Sequence, residues 1–560
     1  MPTSFYQAIP SILSQLEIER PNSILDIGIG HGKYGMLARE VLEIPYDRYT
    51  KKEWKTQIDG IEFFKPYENP LYQYAYDNVY FGKIEEIIDS LNMYDMILLI
   101  DVLKNFNKEQ GLELIKKILN HTNKALLIST PLYPEEQSEY MGNTAEEHKS
   151  RWTVTDFREF DYAYYRIDME NNAAQIIKIF PQVKSSIKPV DNVLIQELDE
   201  GGNEKLSITY ILPHKRLTGG LKMLIMQMEQ LKIRGHKVNA ILKSDIEQSA
   251  IPAFYPIRID SDIVIPTSSQ YKEYISETDV IVASYFTQLE ELELIDKPVL
   301  YWEQGSEGLF GDIKNPANEK DQRNVMKRAF ATETHILSVS NYVQDVLLQK
   351  YNRYTRVMPS YIETEVFKPK EITRSDEEFT ILLVGPPNLQ FKGFDVAIKV
   401  LKTVWKQGYR FKVKWITQQR FNSLNVEFDV EYIYNPSHAE LISTYQNVDV
   451  LLWTSWYEGF GMPPLEAMAT GTPIVSTNCG GIENFAVHFE NSILAEPGDI
   501  KTLAAGIIFL MKKDDLRREM GGNARRTALE FSYEKGIEMF ESILYTVVNK
   551  NDKTKYILTQ

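Results

Sequence analysis

A single cysteine, Cys479, stands in 560 residues. That excludes an internal disulfide framework and any cysteine-built zinc site, and it fits a reducing compartment. No run approaches the ~20 apolar residues that a membrane-spanning helix needs. The opening stretch MPTSFYQAIPSILSQLEIER has neither the basic start nor the long apolar core of a signal peptide. These absences predict a cytoplasmic protein with no transmembrane segment, and they leave peripheral membrane association open. Basic charge is also short: 62 Lys and Arg against 78 Asp and Glu give a formal net charge of −16, which argues against nucleic acid as a partner. Low-complexity tracts and sequence repeats are missing too.

What the chain does have is a steady alternation of short apolar runs with helical patterns, the mark of parallel α/β sheets. The strand candidates are Ser23–Ile27, Ile58–Glu62, Met96–Ile100 and Ala125–Ser129, followed by Ser207–Leu212, Val238–Leu242, Val280–Ser284, Val299–Trp302 and Ile336–Val339. A last group comprises Thr380–Val384, Val413–Ile416, Val450–Thr454 and Ile474–Ser476. Three groups predict three sheets. The polar, turn-rich stretch Lys184–Leu206 reads as a linker and Lys368–Glu378 as a second boundary. The expected domains are therefore 1–190, 203–372 and 373–560, each side of the linker folding by itself. At about 100–200 residues per domain the length accommodates them.

Residues 457–481, YEGFGMPPLEAMATGTPIVSTNCGG, carry the densest chemistry. Glu458 and Glu466 bracket the turn Gly459-Phe460-Gly461, which runs into a helix opened by Met462, Pro463 and Pro464. Glycines let backbone N–H groups turn toward an anion at a helix start, where the dipole favours negative charge. Proline is tolerated in that first turn, and Leu465, Met468 and Ala469 supply a buried face at helical spacing. One carboxylate lies before the helix and one on it, so both can face a single ligand.

This pattern resembles the donor-site signature of the retaining glycosyltransferases of family 4, which have the GT-B fold. The resemblance implies that Glu466 grips the nucleotide ribose and Glu458 approaches the sugar ring. Backbone around Gly459, Phe460, Gly461 and Met462 then contacts sugar or phosphate. It extends to the glycine pair Gly219-Gly220, which opens a helical pattern over Leu221–Arg234, and to Lys392-Gly393, whose lysine is implied on the diphosphate. The chain departs from the pattern at Pro386, where an arginine is usual, so that Arg420 is a candidate to help Lys392, and at Tyr361. It departs again at Glu303, Gln304 and Glu307, where a sugar-contacting histidine is usual.

The first block has its own glycine loop: Asp26-Ile-Gly28-Ile-Gly30-His-Gly32-Lys-Tyr-Gly35 follows a strand. Gly30, Gly32 and Gly35 also fit the dinucleotide fingerprint G-x-G-x-x-G. An acid before the glycines, Asp26, repels a pyrophosphate and suits a cationic ligand without phosphate. The next strand ends in Glu62 and the fourth in Asp101. Together these resemble a class I S-adenosylmethionine-dependent methyltransferase. The resemblance implies Asp26, Gly28, Gly30 and Gly32 near the methionine moiety, Glu62 on the ribose and Asp101 lining the pocket. His148 is a candidate general base, since histidine titrates near neutrality. Lys104-Asn105 stands where Glu-His is common, and Lys83 where an acid often faces the adenine.

Taken together, these resemblances imply three Rossmann-like doubly wound α/β domains, a methyltransferase-like fold followed by a two-domain GT-B pair. The expected function is bifunctional: transfer of a hexose from a nucleotide diphosphate sugar with retention, and of a methyl group from S-adenosylmethionine, in glycan or surface polysaccharide biosynthesis. Glu458, Lys392 and His148 are the expected catalytic residues, and no metal is required. Two rivals are a glycosyltransferase with a non-catalytic docking domain and a glycan-assembly scaffold.

Overall fold

The computed structural model describes residues 5–551 apart from 135–136, 139–141, 170–171, 182–203, 216–218, 254, 276, 307, 313–318, 371–377 and 421–424. Most of the expected linker and of the second boundary thus lie outside the described residues. The chain divides into two compact units, Met1–Lys188 with Glu307–Arg323, and Pro189–Ser306 with Asn324–Gln560.

The first unit is built on seven strands: β1 Ser23–Ile27, β2 Gln57–Glu62, β3 Asn78–Phe81, β4 Tyr94–Ile100, β5 Thr122–Pro131, β6 Tyr162–Asp168 and β7 Ala173–Ile179. Their order is β3-β2-β1-β4-β5-β7-β6. The first five are parallel, and β7 runs antiparallel to both β5 and β6. β1 and β4 are apolar runs because a parallel strand with helices on both faces meets no water. The order reverses between them, and ligands bind outside the carboxyl ends of strands at such a switch point.

The first unit is not one stretch of chain. The peptide N–H of Tyr164, on the edge strand β6, donates to Gly311 O at 2.6 Å. Lys178 on β7 is fully buried, 2.7 Å from Glu19 and 3.1 Å from Glu319. The expectation that 1–190 is complete therefore meets a difference: a segment from far downstream caps its edge and neutralises its buried cation.

The second unit holds two sheets, both wholly parallel. One comprises β8 Ser207–Leu212, β9 Lys237–Lys243, β10 Ser261–Ile265, β11 Val280–Ala283, β12 Val299–Glu303, β13 His335–Ser338 and β14 Arg356–Val357, in the order β10-β9-β8-β11-β12-β13-β14. The other comprises β15 Thr380–Val384, β16 Lys412–Thr417, β17 Val430–Tyr434, β18 Val450–Trp453, β19 Ile474–Thr477 and β20 Ser492–Ala495, in the order β17-β16-β15-β18-β19-β20. The last helix, Tyr533–Asn551, packs against the first of these sheets: Glu541 pairs with Arg234 at 2.9 Å and His236 at 2.7 Å, and Tyr545 Oη donates to Glu204 O. Among the described residues no helix is long and apolar enough to cross a membrane.

Candidate active site

The glycine turn follows β18. A Cβ on Gly459 would lie 2.4 Å from Gln304 O, so only glycine lets the two backbones meet. Gly461 has φ +98°, outside the range other residues favour, and caps the helix Met462–Ala469. Leu465, Met468 and Ala469 are fully buried, as expected. Glu458 N donates to Cys479 O at 2.8 Å and Gly481 N to Glu458 O at 3.1 Å, so the loop after β19 props the turn from behind. Phe460 packs its ring against Phe485 and Phe531 and is buried, which leaves its backbone, not its side chain, to meet a ligand.

Lys392 and Glu458 meet. Lys392 Nζ lies 2.7 Å from Glu458 Oε1, to which Ser455 Oγ also donates at 2.6 Å. The lysine is held by its own turn, Gln390–Lys392, stitched to the end of β18: Thr454 Oγ1 donates to Gly393 O at 2.9 Å and Trp456 N to Phe391 O at 2.7 Å. Glu466, on the helix, accepts from Tyr445 Oη at 2.7 Å. Burial pushes its carboxyl up from the ordinary value, while the Lys222 charge and the Tyr445 bond pull it back. Arg420 stays exposed with its guanidinium 5.3 Å from the Tyr434 ring, and among the described residues no hydrogen bond or ion pair joins it to Lys392.

In the first sheet's half of the second unit, Gly219 and Gly220 open the helix Gly219–Ile233. Space next to Gly219 is open, whereas a Cβ on Gly220 would lie 3.4 Å from Gln304 Oε1. Of the three residues in place of the usual histidine, Glu303 is fully buried and accepts from Gly305 N, Ser306 N and Tyr301 Oη. Gln304 brings its Oε1 beside Gly220, and Glu307 lies outside the described residues. Tyr361 is a core residue stacked on Trp302. Sequence reasoning missed Tyr445 and Ser455, partners of the two glutamates; Ser455, three residues before Glu458, carried a local signal, and Tyr445, 21 residues before Glu466, carried none.

In the first unit, Asp26, Glu62 and Asp101 end adjacent parallel strands or follow them. Asp26 is buried and accepts from Tyr76 Oη at 2.7 Å, and Tyr76 Oη in turn accepts from Gly35 N at 3.0 Å. Burial pushes Asp26 up to about 7, Glu62 adding to the shift and the Tyr76 bond opposing it. Glu62 accepts from Gly30 N at 2.9 Å and Phe64 N at 2.8 Å, so it holds the glycine loop; burial pushes its carboxyl up as well. Gly28 has φ +73°, and a Cβ there would strike Val102; Gly32 caps the helix Lys33–Leu42. Asp101 has φ +60° and a buried Oδ1 with no hydrogen-bond partner among the described residues, the combination of strain and unmet bonding typical of ligand sites. Its carboxyl is also raised by burial, against the charges of Lys104 and Lys33. His148 N donates to Gln137 O, and the next two peptide N–H groups donate to Lys104 O, which brings the His148 segment to the loop after β4. Among the described residues no group of three or more His, Cys, Asp or Glu is placed to hold a metal ion.

Residues 366–527 match the family of glycosyl transferases group 1, and this stretch is a glycosyltransferase group 1 domain. The N-acetyl-alpha-D-glucosaminyl L-malate synthase of Bacillus anthracis is 36% identical over 139 residues, 24% of this chain and 36% of that protein. The capsular polysaccharide biosynthesis glycosyltransferase CapM of Staphylococcus aureus is 30% identical over 185 residues, 32% of this chain and 48% of that protein. The chain spans between 36% and 60% of the length of the first three curated relatives it matches. In fold, it is similar to the sucrose-phosphate synthase of Thermosynechococcus elongatus, with a TM-score of 0.51 and 17% identity over 61% of this chain and 98% of that one.

Proposed function

We propose that the second unit transfers a hexose from a nucleotide diphosphate sugar to a glycan acceptor, with retention, in the assembly of a surface polysaccharide. The observation that carries this is the meeting of Lys392 and Glu458 beside a glycine turn and helix start, with Glu466 on that helix. Lys392 and the amides at Gly461 and Met462 neutralise the departing diphosphate. Glu466 accepts the ribose hydroxyls, Glu458 faces the sugar, and an acceptor hydroxyl attacks from the side the diphosphate leaves. Preorganised charge of this kind supplies the largest single part of such catalysis. No metal is needed while a lysine and backbone dipoles face the diphosphate. The relatives' names, one of them from capsular polysaccharide biosynthesis, favour a glycan product. Donor hydrolysis, together with calorimetric titration of a panel of nucleotide diphosphates, tests the reading; a folded chain that binds none of them would leave the scaffold reading in its place.

The first unit we read as a site for S-adenosylmethionine, favoured by one specific observation: raised, buried carboxylates at the switch point, one with an unmet oxygen, suit a cation. That group would supply a methyl on a sulfonium. Asp26 and the loop Gly28–Gly32 would hold its methionine end, Glu62 its ribose, and Asp101 would line the pocket, while His148 takes a proton from an acceptor. Titration of S-adenosylmethionine and of NAD separates this reading from a dinucleotide site. If the full chain binds neither, a docking role for the first unit becomes the better account. As for boundaries, we propose 203–372 and 373–560 as the two halves of the transferase.

A further inference from the structure

Away from the glycine turn, the second unit holds a cavity of about 210 Å³ whose wall is acidic: Glu229, Glu363, Glu365 and Glu534 line it together with Tyr255 and Tyr533. Glu229 comes from the helix Gly219–Ile233, Glu363 and Glu365 from the passage between β14 and β15, and Tyr533 and Glu534 from the start of the last helix. Ile362 N donates to Phe531 O at 2.9 Å, which fastens the last two segments together. The acids are short of partners. Glu229 accepts from Tyr255 Oη at 3.3 Å, and among the described residues the side chains of Glu363, Glu365 and Glu534 form no hydrogen bond or ion pair. Arg234, also on the wall, is taken by Glu541 at 2.9 Å. The Arg525 charge reaches Glu365, but its guanidinium is bonded to the carbonyls of Thr364, Phe367 and Ala469.

Water and salt can satisfy exposed acids, so the wall alone needs no ligand. Tyr533 does. It is 8% exposed, and its buried Oη has no hydrogen-bond partner among the described residues, a state that native chains rarely tolerate without a reason. Burial pushes this phenol above its ordinary value, and Tyr361, Tyr255 and Glu363 add to the rise, so the hydroxyl faces two groups of the cavity wall. We propose that the cavity binds a linear polyamine, an extended chain carrying two or more ammonium groups. An ammonium donates N–H bonds and accepts none, which suits unpaired carboxylates and a phenol oxygen with free lone pairs, and a tyrosine ring attracts a cation over its face. The positive charge has to be spread out: among the described residues no group of three or more acids is placed to hold a single metal ion. Ammonium groups several bonds apart can instead pair with carboxylates that three separate segments supply. None of the lining residues belongs to the glycine-turn site, and an amine held here leaves that site free.

The full chain is titrated calorimetrically with spermidine at about 0.15 M salt, where loose surface attraction is largely screened, and is melted with and without the amine. One spermidine per chain is expected to bind saturably and to raise the melting temperature, while neither Mg²⁺ nor choline, a cation without N–H donors, displaces it. Glu363→Gln keeps the shape, removes a charge-assisted bond and lowers spermidine affinity by about tenfold. Glu113→Gln, at an exposed position of the helix Lys108–Leu119, removes the same charge from the chain and leaves the affinity unchanged. Tyr533→Phe gives the most specific readout. Without spermidine it melts no lower than the wild type, since no partner is orphaned, and it binds spermidine about threefold or more weakly. A lower melting temperature for Tyr533→Phe in the absence of amine would show that the hydroxyl is bonded within the chain and would overturn the proposal, as would unchanged spermidine affinity in that variant. Equal weakening by Glu363→Gln and Glu113→Gln would overturn it too, because it signals attraction to the net charge of −16 and no site. Displacement of spermidine by Mg²⁺ or choline, or a folded wild type that binds no spermidine, has the same consequence.

Discussion

Lys392 and Glu458 share a 2.7 Å ion pair across 66 residues of sequence, and Lys392 Nζ and Ser455 Oγ both bond the carboxylate at Oε1. On the proposed function, a diphosphate entering the glycine turn would compete with Glu458 for the same ammonium, and the two residues are then expected to have opposite effects on nucleotide binding. Lys392→Ala is expected to weaken nucleotide diphosphate binding by about tenfold or more, since a charge-assisted bond is lost. Glu458→Gln removes the competitor, so that binding holds or tightens while turnover falls on the order of 100-fold. Isothermal titration beside donor-hydrolysis rates checks both, and weaker nucleotide binding in Glu458→Gln would contradict the arrangement.

Burial raises the Glu466 carboxyl, and the Lys222 charge and then the Tyr445 bond oppose the rise. On the proposed function, the ionised form is the one that would accept from both ribose hydroxyls. Tyr445→Phe is expected to move the Glu466 pKa further up, so nucleotide affinity drops more at pH 5.5 than at pH 8. Titrations at the two pH values decide it: a loss independent of pH would assign Tyr445 to packing alone.

A similar argument gives the first unit a pH signature. Asp26 rises from 3.8 to about 7 in the folded chain. The folded state binds this proton more tightly than the unfolded one, so the contribution to stability is present below the unfolded value and is lost as pH rises toward 7. A cation placed beside Asp26 reverses the preference. S-adenosylmethionine should therefore bind about tenfold more tightly at pH 8 than at pH 6, following the ionised fraction of a group with pKa about 7. Asp26→Asn should flatten the profile, and an unchanged profile in that variant would remove Asp26 from the ligand.

How much of this was legible follows from where each strand lies. β1, β8 and β15 begin and end where the apolar runs predict, and each sits inside its sheet with a neighbour on both sides. The strands absent from the candidates include all six edges, β3, β6, β10, β14, β17 and β20. An edge strand has one neighbour and a wetter surface; β17, VEYIY, buries only Ile433, and β14 has two residues. β7 was hidden for another reason, since Gln175 and Lys178 break its apolar run although both are fully buried. At the site, the glycine turn, Glu458 and Glu466 were legible because they are local. Tyr445 was not, because its approach to Glu466, 21 residues further on, comes from folding.

Lys178 also decides whether the first unit survives alone. Its ammonium is fully buried, with Glu19 at 2.7 Å, Glu319 at 3.1 Å and Gln15 Oε1 at 3.1 Å. Glu319 accepts from Tyr165 Oη at 2.5 Å, and Arg323 lies over the Phe180 ring at 3.2 Å and pairs with Asp161. Cutting the chain within 184–206 removes Glu319, Arg323 and the Gly311 carbonyl together. The fragment 1–195 then keeps a buried cation with half its carboxylate partners and a bare edge strand, a combination that favours association with other chains. We expect this fragment to melt well below the first unit of the full chain and to be stabilised, saturably, by a peptide of residues 307–323. In the full chain, Glu319→Gln should cost roughly 1–2 kcal/mol, the usual range for a lost buried contact when a second partner remains. A fragment 1–195 that melts cooperatively at the temperature of the intact unit, indifferent to the peptide, would show that the downstream segment merely rests on it.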